Sequence, residues 1–347
     1  SFFPQLLQGP IGRYERLGEQ LYEGHAYDLK NIQFGLQRIL WGMLKKMVLA
    51  DRVNAAVTLI FNNYWNYGGW INVFGVILYS IQLYADFSGG IDITIGIAQM
   101  FGITMDENFR QPYFSRSIGE FWRRWHITLG TWMKDYIFYP FSLSKCMNKF
   151  GKWCKKTFGN NVGKLLPVSL ANLLVFFIVG IWHGAAWKYI MYGMYNGVII
   201  AASGMLAPVY ARIHESLHIN PKSWWYQVFC IIRTFILVNI GFYFDMAPDL
   251  HAANVMLLDT VTKAHLSQIS MATVKAVGLT AQDLIIVAAG CIIIFVVSIL
   301  KEKNIKIREA VASRNIVLRW FIYIVFIMFI LIYGSTSTTS DFIYANF

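Results

Sequence analysis

The sequence predicts an all-α protein that crosses a membrane several times, and its composition and long apolar runs carry that prediction. Of the 347 residues, 56% are hydrophobic and 14% are charged, whereas ordinary globular domains carry about 25% charged residues. The apolar residues gather in runs close to the ~20 residues that a helix needs to span a bilayer. This composition excludes soluble, disordered, collagen-like and disulfide-rich secreted proteins.

The basic charge also fits a membrane protein. The net charge is +11, but a basic excess in a membrane protein usually marks cytoplasmic loops, so we expect no nucleic-acid partner. The four cysteines follow no zinc-binding spacing, and we expect them to be reduced thiols. The chain opens on SFFPQLLQGP, without Met or a signal peptide, which indicates a start inside a longer protein.

Six apolar segments are candidates for transmembrane helices. Five have a suitable length and cover residues 165–186, 187–210, 226–246, 283–300 and 317–334. The sixth segment, residues 70–101, is too long for one span. Because Asp86, two glycines and Asp92 interrupt it, we expect a broken helix that lines a polar cavity.

Two further segments, residues 32–61 and 117–141, mix charged residues with aliphatic and aromatic ones. Such segments either lie in the membrane interface or form re-entrant helices inside a protein-lined funnel. The sequence contains no internal repeat and no low-complexity linker. We therefore expect one continuous membrane domain over residues 1–347.

The basic loops predict the orientation in the membrane. Three loops are rich in lysine or arginine, at residues 142–164, 211–222 and 301–314. Alternating spans place all three on the same side, and the positive-inside rule makes that side cytoplasmic. Lys149 and Lys155 should therefore face the cytoplasm, and the C-terminal Phe347 should face outside.

His183 is the first candidate for chemistry, because it lies near the end of a strongly apolar segment. A buried imidazole in such a helix is costly unless it is hydrogen-bonded or functional, and imidazole is the natural general base at pH 7. Gly184 and the nearby alanines should leave room for a substrate. The alternative is a structural histidine that bonds to another helix.

His126 follows the run FWRRW at residues 121–125. Tryptophan and arginine are typical of membrane interfaces, so this run could be an anchor at headgroup depth. It could also form a cationic, aromatic-walled passage, in which Arg123 and Arg124 bind the phosphates of an anionic cofactor. The residues alone leave both interpretations open.

Two other patterns suggest different classes of protein. Asp86 and Asp92 could bind a proton or Na⁺ in a broken helix of a secondary transporter, and the alternative is that Asp86 caps the second half-helix. HESLH at residues 214–218 matches a zinc-protease pattern. Pro221 ends any helix just after it, and no downstream glutamate completes the ligand set, so we expect no metal site.

Several motifs together resemble one family. They are FFPQL and GPI within residues 2–11, GMLKKMVLAD at 42–51, YADFSG at 84–89, NF and QPY within 108–113, EFWRRWHITL at 120–129, WHG at 182–184 and FIY at 342–344. In this combination the sequence resembles the membrane-bound O-acyltransferase (MBOAT) family. The nearest branch is that of bacterial alginate O-acetylases and peptidoglycan O-acetyltransferases, and the teichoic-acid D-alanyl transferase is more distant.

The resemblance implies a fold and a site. The fold is a ring of tilted helices around a thin centre, where a cytoplasmic tunnel admits an acyl thioester and an outer funnel admits the acceptor. Members of the family normally have further transmembrane helices before FFPQL, and these N-terminal helices are missing here. The two histidines of the family fall on His183, the essential one, and on His126.

The resemblance also implies roles for other residues. His183 acts as general base, while His126 or Asn108 faces the oxyanion or steers the thioester. Binding of donor or substrate falls to Asp86, Asn108, Arg123, Arg124 and Trp182. No metal and no bound cofactor are needed, because the acyl group arrives on a thioester, as acetyl-CoA or on the phosphopantetheine of an acyl carrier protein.

The expected protein is thus a multi-pass enzyme of the bacterial inner (cytoplasmic) membrane. It moves an acyl group, with acetyl favoured, from a cytoplasmic donor to a hydroxyl of an extracellular cell-wall polymer or exopolysaccharide. An extracellular acyltransferase- or esterase-like protein is the expected partner. The alternatives are D-alanyl transfer to teichoic acid and, in another class, an ion-coupled transporter that uses Asp86 and Asp92.

Overall fold

The computed structural model describes residues 2–265, 268, 270–334 and 342, apart from the side chain of Asn161. These residues form helices joined by short connections and contain no β-strand, which confirms the prediction of an all-α protein. Phe347 and residues 343–344 of the FIY motif lie outside the described residues. The chain divides into a terminal unit, Ser1–Asn108 with Leu258–Phe347, and a central unit, Phe109–Leu257.

Sixteen α-helices cover most of the described residues. The first eight are α1 (Tyr14–Tyr22), α2 (Leu29–Met43), α3 (Asp51–Asn62), α4 (Trp70–Met100), α5 (Ile118–Arg124), α6 (Ile127–Met133), α7 (Tyr139–Ser142) and α8 (Lys145–His183). The others are α9 (Trp187–Met205), α10 (Ala207–Ser216), α11 (Trp224–Met246), α12 (Leu250–Thr262), α13 (Met271–Ala276), α14 (Ala281–Glu302), α15 (Ile307–Ala312) and α16 (Ile316–Tyr333). Helices α5 to α11 belong to the central unit, and α12 crosses its boundary.

Within the described part of the chain, five helices are long and apolar enough to cross a membrane: α4, the Val162–His183 part of α8, α11, α14 and α16. A sixth candidate is the pair α9 and α10, which bends by 55°. The predicted limits of α11, α14 and α16 lie within two residues of the observed ones. The protein is a multi-pass membrane protein, as predicted, whereas the ring of helices around a tunnel stays a prediction.

Helix α4 corrects the expectation of a broken helix in this segment. It runs without interruption from Trp70 to Met100, so the two half-helices that a transporter-like ion site requires do not form there. Its glycines permit close packing against α2 rather than a break. A methyl group on Gly42 of α2 would lie 2.5 Å from the carbonyl oxygen of Gly89. Small residues let membrane helices approach closely in this way.

The two carboxylates of α4 take part in a group of buried charges in the terminal unit, which we call the ion-pair cluster. Its members are Arg38, Lys45, Lys46, Asp51, Asp86 and Asp92. The lysines come from a π-helical segment, Leu44–Ala50, that joins α2 to α3. Both lysines are buried, so their ammonium groups need nearby carboxylates.

Each charge in the ion-pair cluster has an opposite charge beside it. Lys46 Nζ lies 2.7 Å from Asp86 Oδ1 and 2.9 Å from Asp51 Oδ1. Lys45 Nζ lies 2.5 Å from Asp92 Oδ2. Arg38 approaches the other oxygen of Asp92 at 2.9 Å and pairs with Glu107. The carboxylates that suggested an ion site are therefore compensated by the protein itself.

The lysine-rich segment at residues 142–164 is also different from the expected loop. It is helical from Lys145, because the Ser144 hydroxyl accepts a hydrogen bond from Met147 N and caps the helix. Its exposed lysines recur at helical spacing, at positions 145, 149, 152 and 156. Met147 and Cys154 are buried on the opposite face. Gly159, with φ +79°, then bends α8 before its membrane-spanning part.

Candidate active site

His183 is the last residue of α8 and is almost fully buried, with 4% of its surface exposed. Its ring lies among aromatic side chains of α9. The Tyr192 ring meets it edge-on at 5.5 Å between centroids, and the Tyr189 ring stacks on it at 6.1 Å. The orientation of the imidazole is thus constrained from two sides.

Gly184 permits this arrangement. It has φ +146°, a conformation that strains other residues, and it turns the chain from α8 into α9. A methyl group at this position would lie 2.7 Å from the Tyr189 ring. The position that a side chain of residue 184 would take is therefore filled by Tyr189, and room for a substrate beside His183 stays a prediction.

His126 connects α5 to α6 and adopts the left-handed conformation, with φ +45° and ψ +54°. This conformation costs an L-residue roughly 1–2 kcal/mol, so the surrounding packing has to enforce it. The side chain is buried, with 6% of the residue exposed. Burial, reinforced by the neighbouring His183, lowers the pKa of His126 to about 3. The imidazole of His126 is therefore neutral at pH 7.

Aromatic packing holds the turn that carries His126. The Trp125 ring stacks on Phe121 at 5.4 Å, and Trp125 is almost fully buried. Trp122 Nε1 donates a hydrogen bond of 3.0 Å to Asn196 Oδ1 of α9. These contacts tie α5 to α9 and fix the backbone next to His126.

The C-terminal end of α11 brings a carboxylate to the same place. Asp245 is the second-to-last residue of α11 and is 7% exposed. Its Oδ1 lies 3.9 Å from Nδ1 of His183. The ammonium group of Lys188 donates hydrogen bonds to the backbone carbonyls of Asp245, at 3.2 Å, and of Ala247, at 2.7 Å. Lysine thereby satisfies carbonyls that the end of a helix leaves without partners.

Trp182 connects the two histidines. Its ring lies 5.8 Å from the ring of His126 and 5.0 Å from the ring of His183. Trp182 is 39% exposed, so one side of this group reaches the surface of the central unit. We call His126, Trp182, His183 and Asp245 the histidine cluster. It contains three of the residues that the sequence selected, from two separate motifs.

The two arginines of α5 lie in different environments. Arg124 is half-buried and pairs with Glu120 at 2.9 Å, and its guanidinium also donates to the carbonyls of Arg110 and Gln111 at 3.5 Å. Arg123 is exposed. Arg124 thus has a structural role in holding the segment before α5. A donor-binding role stays a prediction for both arginines.

The remaining candidates belong to the terminal unit. Asp86 is buried in the ion-pair cluster, where Lys46 balances its charge. Asn108 is fully buried at the end of that unit. Their roles in binding a substrate or stabilising an oxyanion stay predictions.

The HESLH motif does not form the helical pair of histidines that a zinc protease needs. Helix α10 ends at Ser216, and His218 lies beyond it with φ +52°. His214 Nε2 lies 2.6 Å from the hydroxyl of Tyr226, so this imidazole has a hydrogen-bond partner. Only His214 of the two is on the helix, so the i, i+4 geometry of the zinc pattern is lost.

The arrangement suits proton transfer. A buried imidazole with a carboxylate near Nδ1 is a common form of a general base. A second, neutral imidazole nearby can donate or accept a hydrogen bond without carrying charge.

The fold and the histidine cluster define a multi-pass membrane protein with two buried histidines and a buried carboxylate in its central unit. The model of the MBOAT, membrane-bound O-acyltransferase family, matches residues 1–244. This chain belongs to the membrane-bound O-acyltransferase family. The resemblance that the sequence motifs indicated is thereby confirmed.

Three relatives agree with the predicted branches. The chain is 33% identical to the probable alginate O-acetylase of Pseudomonas syringae pv. tomato, over 74% of this chain and 44% of that protein. It is 32% identical to the peptidoglycan O-acetyltransferase of Helicobacter pylori, over 77% and 47%. It is 30% identical to the teichoic acid D-alanyltransferase of Bacillus subtilis, over 72% and 60%. The chain spans about half the length of the curated relatives it matches.

Sequence reasoning missed Asp245, Lys188 and the two tyrosines around His183. Asp245 had a usable signal, because an acid at the end of the apolar run GFYF is as unusual as a histidine at the end of α8. The tyrosines had no such signal. Aromatic residues are frequent in this chain, at 16%, so their presence in α9 distinguishes nothing.

Proposed function

We propose that this chain carries the catalytic site of a bacterial membrane O-acyltransferase. In this proposal an acyl group, with acetyl favoured, moves from a cytoplasmic thioester to a hydroxyl of an extracellular cell-wall polymer or exopolysaccharide. The observation that carries the proposal is the buried contact between His183 and Asp245 beside the neutral His126. Membership of the family supports the same reaction.

The reaction follows from these groups. Nε2 of His183 takes the proton of the acceptor hydroxyl, and the oxygen attacks the carbonyl carbon of the thioester. The neutral His126 donates a hydrogen bond to the oxygen that becomes negative. The C–S bond then breaks, and the departing thiolate receives the proton from the imidazolium of His183. Burial in the membrane keeps water from hydrolysing the thioester.

The donor side of the proposal rests on charge. Acetyl-CoA and the phosphopantetheine of an acyl carrier protein both carry phosphate. The exposed lysines of α8 form a basic surface in the central unit, at positions 145, 149, 152, 155 and 156. Arg123 of α5 is a further exposed cation of the same unit. Basic surfaces attract such donors by long-range electrostatics. Trp182, Asp86 and Asn108 complete the residues proposed to bind donor or acceptor.

The acceptor side remains open between two chemistries. Relatives act on alginate, peptidoglycan or teichoic acid, according to their names. We propose acetyl transfer to a polysaccharide, completed by an extracellular partner protein, and D-alanyl transfer to teichoic acid is the second candidate. Release of the ester-linked groups from the cell polymers by mild alkali, followed by identification of acetate or D-alanine, separates the two.

Replacement of His183 tests the reaction. In cells that express the full-length protein, His183→Gln should lower the ester content of the polymer at least ~10²-fold, because the base is lost. Glutamine keeps some hydrogen bonding, so the amount of protein in the membrane should not change. The matched control is His214→Gln, which removes a histidine bonded to Tyr226 outside the histidine cluster and should leave transfer intact.

Near-normal transfer by His183→Gln would contradict the proposed mechanism. Attention would then move to Asp86 and Asp92, the carboxylates of α4. A loss of transfer in His214→Gln as well would indicate a general defect of folding, which measurements of expression and thermal stability would reveal.

A labelling experiment tests the direction of transfer. We propose that the basic face of α8, including Lys149 and Lys155, lies in the cytoplasm and that Phe347 lies outside the bacterial inner membrane. Cys146 is exposed on the same helix, so an impermeant maleimide should label it only after the cells are permeabilised. Cys146→Ser is the control for labelling of other cysteines. Labelling of Cys146 in intact cells would show that the orientation is opposite to the one proposed here.

A further inference from the structure

Asp245 has an unusual position for a carboxylate. It lies at the end of a membrane-spanning helix and is 7% exposed. A charge at such a place is costly unless another group compensates it. The charged or titratable groups near it include His183 of α8 and Lys188 and Tyr189 of α9, and Asp249 acts on the same Lys188. The environment therefore offers an imidazole and an ammonium group as partners.

Lys188 fixes the position of Asp245 through the backbone. Its ammonium group bonds to the carbonyls of Asp245 and Ala247, so it holds the last turn of α11. The same ammonium group lies 4.5 Å from the centre of the Tyr189 ring, and that ring stacks on His183. Lys188 and Tyr189 thus brace the carboxylate and the imidazole from neighbouring positions of one helix.

The contact between Asp245 and His183 is longer than a hydrogen bond, at 3.9 Å. Hydrogen bonds of a catalytic site are often long when no substrate is bound, and they tighten in the reacting complex. A positive charge on His183 would draw the carboxylate closer. The separation is therefore suited to a partner that acts during the reaction rather than to a permanent ion pair.

We propose that Asp245 is the positioning residue of His183. It holds the proton of the imidazole on Nδ1, which leaves the lone pair of Nε2 for the acceptor hydroxyl. When Nε2 takes that proton, Asp245 stabilises the imidazolium and remains a carboxylate itself. The proton then passes from Nε2 to the departing thiolate. This inference rests on the proposed function, since it assigns a partner to the same base.

The test compares Asp245→Asn with Asp245→Glu. Transfer is measured in permeabilised cells with the donor that the unaltered protein uses, either radiolabelled acetyl-CoA or a radiolabelled D-alanyl carrier protein. Asparagine cannot stabilise an imidazolium, and it supports the wrong tautomer. Asp245→Asn should lower kcat by ~10²–10⁴-fold with little change in the KM for the donor. The acidic limb of the pH profile should move to lower pH, because the imidazolium loses a neighbouring negative charge.

Asp245→Glu keeps the charge and moves it by one methylene group. A positioning role predicts a smaller fall in kcat, of roughly tenfold, with the acidic limb near its original pH. A role in charge balance alone predicts an unchanged kcat, because glutamate still balances Lys188. This variant therefore decides the question even if Asp245→Asn fails to accumulate in the membrane. Asp259→Asn, at another buried acid, is the control for the general cost of the change.

A double variant separates this inference from the proposed function. If Asp245 acts through His183, then His183→Gln with Asp245→Asn should transfer no more slowly than His183→Gln alone. An unchanged kcat in both Asp245 variants, while His183→Gln is inactive, would overturn the positioning role and leave the base intact. Full transfer by His183→Gln would instead refute the proposed function.

Discussion

The protein contains two buried polar groups of opposite character. In the ion-pair cluster of the terminal unit, three cations face three carboxylates at 2.5–2.9 Å. In the histidine cluster of the central unit, one carboxylate stands 3.9 Å from an imidazole, and the second imidazole is neutral because burial lowers its pKa to about 3. In the ion-pair cluster every charge is paired at close range. In the histidine cluster the carboxylate of Asp245 is not in a close ion pair with His183 and can stabilise a proton taken up by that imidazole.

The difference indicates what each group does. Buried ions that are completely paired are expensive to disturb and give little freedom to move a proton. A neutral imidazole can accept a proton at small electrostatic cost when a carboxylate lies close to its ring. Both groups look alike in the sequence, as ionisable residues in apolar surroundings. The geometry of their partners separates a structural group from a reactive one.

The largest expected effect comes from unbalancing the ion-pair cluster. Asp92→Asn leaves the ammonium group of Lys45, whose side chain is 3% exposed, without its carboxylate. We expect a loss of ~3–5 kcal/mol in the free energy of unfolding. Adding Lys45→Met should restore most of that loss, since Arg38 still pairs with Glu107. Chemical or thermal unfolding in detergent measures both.

A control variant and an activity measurement accompany the stability measurement of Asp92→Asn. Glu309→Gln breaks an exposed pair with Lys306, where the cost should be ~1 kcal/mol or less. Acyl transfer per folded molecule should stay near normal in Asp92→Asn, because Asp92 has no part in the proposed reaction. A large loss of transfer in fully folded Asp92→Asn would contradict the purely structural role that we assign to Asp92.

A smaller effect is expected from the acid titration of His126. Its pKa of about 3 in the folded protein lies below the ordinary 6.5, so the unfolded chain binds a proton more readily between these values. The contribution to stability is complete above about pH 6.5 and is lost as the pH falls towards 3, by roughly 1.4 kcal/mol per pH unit. His126→Asn should therefore show a shallower loss of stability between pH 6 and pH 5.

Thermal unfolding in detergent at several pH values measures this slope. Titrating groups away from position 126 contribute equally to both proteins and cancel in the comparison. Asparagine tolerates the left-handed conformation of position 126, so the variant should fold at pH 7. Parallel stability curves for the two proteins would show that His126 is not held neutral by burial.

Much of the fold follows from the sequence, because apolar length is sufficient to locate spans. The limits of α11, α14 and α16 were predictable within two residues. The continuity of α4 was not predictable, since acids and glycines in an apolar run are equally compatible with a break and with close packing against charged partners. Lys45 and Lys46 lie in a segment that looked amphipathic, and only the packing of α2 on α4 shows them facing inward.

The site was predictable in part for a similar reason. His183 and His126 lie in distinctive motifs, and the structure places both beside Trp182. Asp245 lies 62 positions after His183, and no local pattern connects the two. Their contact depends on α8 and α11 ending at the same level, which is a property of helix packing. The lysine-rich start of α8 was predicted as a loop because its many charges drew attention away from the helical spacing of the lysines.

The left-handed backbone at His126 has a consequence for how this site can change over time. Residues that tolerate such a φ include Asn, Asp and Gly as well as His. The turn between α5 and α6 can therefore keep its shape while the side chain exchanges one hydrogen-bonding chemistry for another. A β-branched or bulky residue at the same place would have to overcome backbone strain first. Substitution at position 126 thus favours glycine, asparagine and aspartate, all of which preserve the backbone turn between α5 and α6.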